Sequence, residues 1–196
     1  MGRVVSSASM SLDGYVALPD DDPGPLFDWY GAGDVEVRTV REDLTFHLTP
    51  ASAAHWTGWV GSLGALVVGR RLFDLTDGWG GRHPLGVPVV VVTHRPPADW
   101  AHAGPATEFR ADVAAAVARA QELAGAAVVG VAAGTIASQC LDLGLLDEVA
   151  VDLVPVVLGA GRPYFTDVAH GPTLLGEPTT TVHGDRVTHL VYPVGR

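Results

Sequence analysis

Near-continuous apolar runs at residues 65–68, 88–92 and 126–132 are separated by stretches in which apolar residues recur every three or four positions. The runs are too short for helices and too uniformly apolar for strands with one wet face, so they predict strands buried on both faces. The periodic stretches predict helices. Thr49 before Pro50 offers an N-cap and a first-turn proline, and Ala53, Trp56, Val60 and Leu63 follow at helical spacing, giving a helix over 50–63. Asp112 caps a second helix with Val113, Val117, Ala120 and Ala124 on one face and Gly125 at its end. A third runs from Thr135 to Leu143 and stops at Gly144. Strands alternating with helices imply a mostly parallel sheet covered on both faces.

The two ends of the chain follow another pattern. Residues 3–17 alternate loosely and read as a strand broken by a turn at Asp13-Gly14. A strand over 148–157 is followed by two runs, 179–183 and 187–192, that predict a hairpin turning at Gly184-Asp185, hence an antiparallel edge on the parallel sheet. Between Leu18 and Asp34 the run Pro19-Asp20-Asp21-Asp22-Pro23-Gly24-Pro25 forbids regular structure. Phe27, Asp28, Trp29 and Tyr30 come next, and a loop carrying aromatics is suited to covering something.

At 196 residues and 47% hydrophobic content, the chain is expected to form one domain over residues 1–196. The formal net charge of −10 argues against general affinity for nucleic acid or anionic membrane, and all 12 cations are arginine. No apolar segment approaches the roughly 20 residues that span a bilayer, and the N-terminus lacks an apolar leader core, so a cytoplasmic protein is expected. Cys140 is the only cysteine and stands in a helical pattern with Ile136 and Leu143, which predicts a buried structural thiol. The eight histidines form no close ligand pair, so no metal is expected. Trp56, Trp59, Trp79 and Trp100 read as core and interface residues.

The candidate chemistry lies where apolar runs meet glycine and a helix begins. Ala65-Leu66-Val67-Val68-Gly69-Arg70-Arg71 and Val128-Val129-Gly130-Val131-Ala132-Ala133-Gly134-Thr135-Ile136 both do so. Free backbone N–H groups and the positive end of the helix dipole point at one spot there, which favours an anion. Val89-Val90-Val91-Val92 ends in Thr93, His94 and Arg95, adding a hydroxyl and a guanidinium. Arginines at a helix start oppose the dipole, and that misfit favours a bound anion as their partner. These strand ends predict a site for a phosphorylated nucleotide.

Five stretches in order, Ser9-Met10-Ser11-Leu12-Asp13-Gly14-Tyr15-Val16-Ala17, Gly69-Arg70-Arg71-Leu72-Phe73, Gly134-Thr135-Ile136, Leu146-Asp147-Glu148, and Pro155 through Phe165, resemble the dihydrofolate reductase fold. Within it they are most similar to the C-terminal reductase domain of the bifunctional riboflavin-biosynthesis deaminase-reductase. The resemblance implies a cytoplasmic, NADPH-dependent reductase that passes hydride to a small pyrimidine-like, pteridine-like or carbonyl substrate, as 5-amino-6-(5-phosphoribosylamino)uracil reductase does, and that pairs as a homodimer. A non-catalytic nucleotide-binding module on the same fold is the alternative. The resemblance implies that Arg70 or Arg71, following Gly69, holds the adenosine 2′-phosphate with Thr93 and Arg95. Ala133, Gly134, Thr135 and Ile136 would receive the pyrophosphate, Ser9 and Ala17 would border the nicotinamide, and Asp13, or Asp28 of the loop, would supply a proton. The chain departs from the pattern in carrying Ala132 where those reductases have glutamate, and Ala133-Gly134 where they have two glycines, a pair whose peptide is strained and often cis in this fold. No zinc-deaminase signature stands in the sequence, so deaminase activity is not expected of it.

Overall fold

The computed structural model describes residues 2–102 and 104–195. Its strands are β1 (Val4–Ser11), β2 (Tyr15–Ala17), β3 (Val35–Arg38), β4 (Thr45–Leu48), β5 (Leu63–Gly69), β6 (Val89–Val92), β7 (Thr107–Arg110), β8 (Val128–Val131), β9 (Glu148–Val154), β10 (Arg162–Pro163), β11 (Thr180–Gly184) and β12 (Val187–Pro193). Its α-helices are α1 (Pro50–Ser62), α2 (Arg70–Leu75), α3 (Val113–Ala124) and α4 (Thr135–Asp142). Eight strands form one sheet in the order β11-β12-β9-β1-β8-β5-β6-β7, parallel from β9 to β7, with β12 antiparallel to β9 and β11 antiparallel to β12. This is the mostly parallel α/β sheet with an antiparallel C-terminal hairpin that the pattern predicts.

Alternation along each strand divides the core. Val4 of β1, Val67 of β5 and Val129 of β8 face α3 and α4, where Ala116, Val117, Ala120, Ala137 and Cys140 are buried. Val5 and Val128 face the other way, toward Leu63 and the rings of α1. Both faces are covered, which is why these strands read as unbroken apolar runs. Burial pushes the Cys140 thiol up to about 12, so it is an inert packing group. The predicted caps are in place: Thr49 Oγ1 accepts from the Ser52 N–H at 3.3 Å, and Asp112 Oδ1 from the Ala115 N–H at 2.8 Å.

The break expected at Asp13-Gly14 is present: the first strand ends at Ser11, and Gly14 at φ 89° makes the turn into β2, which pairs with β10 outside the main sheet. Other elements differ from the expectation. β9 stops at Val154 because Pro155 has no N–H for the ladder. The hairpin turns one residue later than predicted, at Asp185-Arg186, since Gly184 still pairs with Val187. The 18–34 segment contains a 3₁₀ stretch, Gly24–Gly31, that buries Leu26 and Trp29 beneath the β3–β4 hairpin and α1. The peptide before Gly134 is trans; the cis bond among the described residues is Gly171-Pro172.

The segment that leads into β6 carries a titratable group. His83 packs edge-on against Trp79 and accepts the Leu85 N–H on Nδ1 at 3.2 Å, and burial brings its pKa down to about 4. The unfolded chain takes up this proton near pH 6.5 while the native imidazole stays neutral until about pH 4. Stability is therefore expected to fall as pH drops through that window, by up to about 3 kcal/mol, and to level off below it. Urea unfolding at pH 7, 5 and 4 checks this, with His83→Gln expected to lose the added slope.

Candidate active site

The parallel strands β1, β8, β5 and β6 lie side by side, so whatever follows their C-terminal ends shares one edge of the sheet. After β1 comes Asp13, after β8 Ala133 through Ile136, at the end of β5 Gly69 with Arg70 and Arg71, and after β6 Thr93 and Arg95. Topology alone thus gathers groups from four distant parts of the sequence.

Gly134 sits at φ 81°, ψ −144°, a conformation for glycine, and donates its N–H to the Tyr164 carbonyl at 2.7 Å. That bend starts α4 with no side-chain cap, and a Cβ placed on Gly134 would meet nothing within 4 Å. The first-turn amides from Thr135 onward and the positive end of the α4 dipole therefore face an approachable surface. Gly69 packs against the neighbouring turn: a Cβ there would lie 3.2 Å from Ile136 Cγ1.

The two adjacent arginines part company. Arg70 donates to the Arg95 carbonyl and, through Nε, to Asp74 Oδ1 at 2.7 Å, while the Arg95 N–H bonds Thr93 Oγ1 at 3.1 Å. Arg70, Thr93 and Arg95 form one group. Arg71 turns instead to Asp21 in the loop after β2, where Arg162 of β10 also bonds the same carboxylate at 2.7 Å. The hydrogen bonds from Arg71 and then Arg162 bring the Asp21 carboxyl down to about 2. Of the two arginines weighed from sequence, Arg70 is the one beside Thr93.

Ser9 is buried and its hydroxyl accepts the Trp29 indole N–H at 3.1 Å, so the aromatic loop covers the middle of the sheet. Ala17 lies in β2 opposite Arg162, with Gly161 so close that a Cβ there would fall 2.1 Å from the Ala17 carbonyl oxygen. Asp13 accepts from Ser11 Oγ at 2.6 Å and from the Gly159 and Leu158 N–H groups at 2.7 and 3.1 Å. Those bonds, the Ser11 hydroxyl first, hold its pKa below the usual value against partial desolvation. Asp13 is therefore an anion at neutral pH that fastens the turn after β1 to the 158–159 loop, surroundings that oppose a proton-donor role. Asp28 is exposed.

One polar cluster has no counterpart in the sequence reading. On the α1 face of the sheet, His189 of β12 places Nδ1 2.6 Å from Asp152 Oδ1 of β9 and Nε2 2.9 Å from Ser52 Oγ of α1. His55, one turn after Ser52, stacks on His189, and burial first and then His189 hold it below its ordinary pKa. Gly184 admits this contact, since a Cβ on it would fall 2.2 Å from Ser52 Oγ. Asp152 between Val149-Ala150-Val151 and Leu153-Val154 was the signal available, because a carboxylate set among apolar strand residues needs a partner.

The fold is similar to several solved structures. A putative riboflavin biosynthesis protein from Shewanella sp. PV-4 superposes with a TM-score of 0.70 at 18% identity, covering 99% of each chain. Acinetobacter baumannii RibD, in its form 2, gives 0.63 at 16% identity, and the Thermotoga maritima diaminohydroxyphosphoribosylaminopyrimidine deaminase/5-amino-6-(5-phosphoribosylamino)uracil reductase gives 0.61 at 15%. The alignments cover 100% and 99% of this chain but only 58% and 57% of those two, so it spans little more than half their length. No curated protein sequence matches the chain. No helix among the described residues is long and apolar enough to cross a membrane. The model of the family described as RibD C-terminal domain matches residues 3–187, and the chain belongs to that family.

Proposed function

We propose that the protein is an NADPH-dependent reductase that delivers hydride to a small pyrimidine-like, pteridine-like or carbonyl substrate. The observation that carries this reading is the alignment, along one sheet edge, of an uncapped α4 N-terminus behind Gly134 with the Arg70, Thr93 and Arg95 group. An elongated ligand with two phosphorylated regions fits that edge. The amides of Thr135 and Ile136 would hold the pyrophosphate, and Arg70 and Arg95 with the Thr93 hydroxyl would hold the 2′-phosphate through charge-assisted hydrogen bonds. When bound, NADPH supplies the hydride. The chain supplies placement: Ser9 and Ala17 flank the end of β1 where the reacting ring would lie, and Trp29, seated on Ser9, keeps water off that side. Membership of a reductase family supports the reaction class.

Titration of NADPH into the protein, followed by calorimetry, tests the reading. A Kd near micromolar, about −8 kcal/mol, is expected; no binding up to millimolar, about −4 kcal/mol, overturns it.

A further inference from the structure

The geometry points to a site for one divalent transition-metal ion of the zinc class, held by His55 of α1, Asp152 of β9 and His189 of β12. Asp152 and His189 are directly opposed across the antiparallel β9–β12 pair, on the face that looks toward α1. His55 comes down on them from the helix, its ring centroid 4.5 Å from that of His189 with 24° between the planes. One ligand atom from each of the three lies within 4.8 Å of the others. Donors around a tetrahedral ion stand about 3.3 Å apart, given metal–ligand distances of about 2.0 to 2.1 Å. To take the ion, Asp152 Oδ1 and His189 Nδ1 open from 2.6 Å to that spacing, and the half-buried His55 turns out of its stack on His189 to aim a ring nitrogen at the same point. The His55 imidazole makes no hydrogen bond with any described residue, and with Asp152 it borders a cavity of about 30 Å³ walled by Ser7, Trp56, Trp59 and Ala150. That is room for one water as the fourth ligand.

Ser52 completes the arrangement. A histidine ligand is normally fixed by a hydrogen bond from its other ring nitrogen, and His189 Nε2 is 2.9 Å from Ser52 Oγ. A hydroxyl both donates and accepts, so Ser52 serves either tautomer of the ring. Without metal, a proton must lie between Nδ1 and Asp152 Oδ1 at 2.6 Å. The ion takes the Nδ1 lone pair in place of that proton. If His189 starts neutral, its proton moves from Nδ1 to Nε2 and the Ser52 hydroxyl turns to accept it; if His189 starts as imidazolium, one proton is released to solvent. Two imidazoles and one carboxylate select zinc and its neighbours over calcium or magnesium, which take oxygen ligands. The ion would clamp α1 to the two strands beneath it.

The inference is independent of the nucleotide reading, and an NADPH titration of the same samples keeps the two apart. The test uses the chelator-treated full chain, with Co²⁺ as optical probe and Zn²⁺ by calorimetry. Expected are one ion per chain, the visible absorption of four-coordinate Co²⁺, its loss on adding Zn²⁺, and a Tm that rises with Zn²⁺. His55→Gln and Asp152→Asn, with folding checked by circular dichroism, should each weaken binding at least about a hundredfold. Ser52→Ala should weaken it about ten- to a hundredfold, and the exposed His170→Ala should leave it unchanged. Absence of stoichiometric binding, or affinity retained in the folded His55→Gln variant, overturns the assignment.

Discussion

Arg70→Ala is expected to raise the Kd for NADPH about 30- to 100-fold while changing that for NADH less than about twofold. Hydrogen bonds to a charged partner contribute about 1.5 to 3 kcal/mol, and the two cofactors differ only in the 2′-phosphate that Arg70 would meet beside Thr93 and Arg95. Arg71→Ala makes the informative comparison. Its guanidinium is engaged by Asp21, so its removal should loosen the loop after β2 and weaken both cofactors alike by a few-fold. Paired titrations of the two variants with both nucleotides measure the difference. Equal losses for NADPH and NADH in Arg70→Ala would mean that the 2′-phosphate is held elsewhere.

The second large effect is on stability. Trp29→Ala should destabilise the protein by about 3 to 5 kcal/mol, the usual cost of removing a large aromatic side chain from a closed core. Trp29 is 2% exposed, clustered with Leu26, Leu48, Ala53, Trp56, Val154 and Val187, and stacked on Tyr30 with centroids 4.1 Å apart. Trp29→Phe keeps most of that packing and loses the bond to Ser9, so it should cost about 1 to 3 kcal/mol. Urea unfolding curves give both values. A loss below about 1 kcal/mol in Trp29→Ala would show that the 3₁₀ stretch is a detachable cover rather than part of the core.

These two residues also mark how far local pattern reached. The strands over 65–68, 88–92 and 126–132, the caps at Thr49 and Asp112 and the stop at Gly125 were legible because each depends on a few neighbouring residues. Parallel strands buried on both faces announce themselves by composition, and their order then puts Gly69, Thr93 and Gly134 on one edge. The β3–β4 hairpin and β7 were not legible: Val35–Arg38 and Thr107–Arg110 are four-residue runs with polar positions, too short to show a period. Pairings across the chain were hidden for another reason. Asp13 reaches Gly159, Arg71 reaches Asp21, and His189 reaches both Asp152 and Ser52, contacts that exist only once the sheet has fixed its register. Asp13-Gly14 therefore reads from sequence as a turn or a catalytic carboxylate with equal ease, and only its three donors show that the charge fastens a loop.

The missing side chain at position 184 reaches further than the hairpin tip. Any larger residue there would lean on the opening turn of α1 and prise the Ser52 hydroxyl from the imidazole it touches. A peripheral ribbon, at the margin remote from the arginine-bearing rim, thus sets the spacing of interior groups contributed by three separate segments. Grafting a different connection onto this end of the molecule would be an interior change disguised as a surface one.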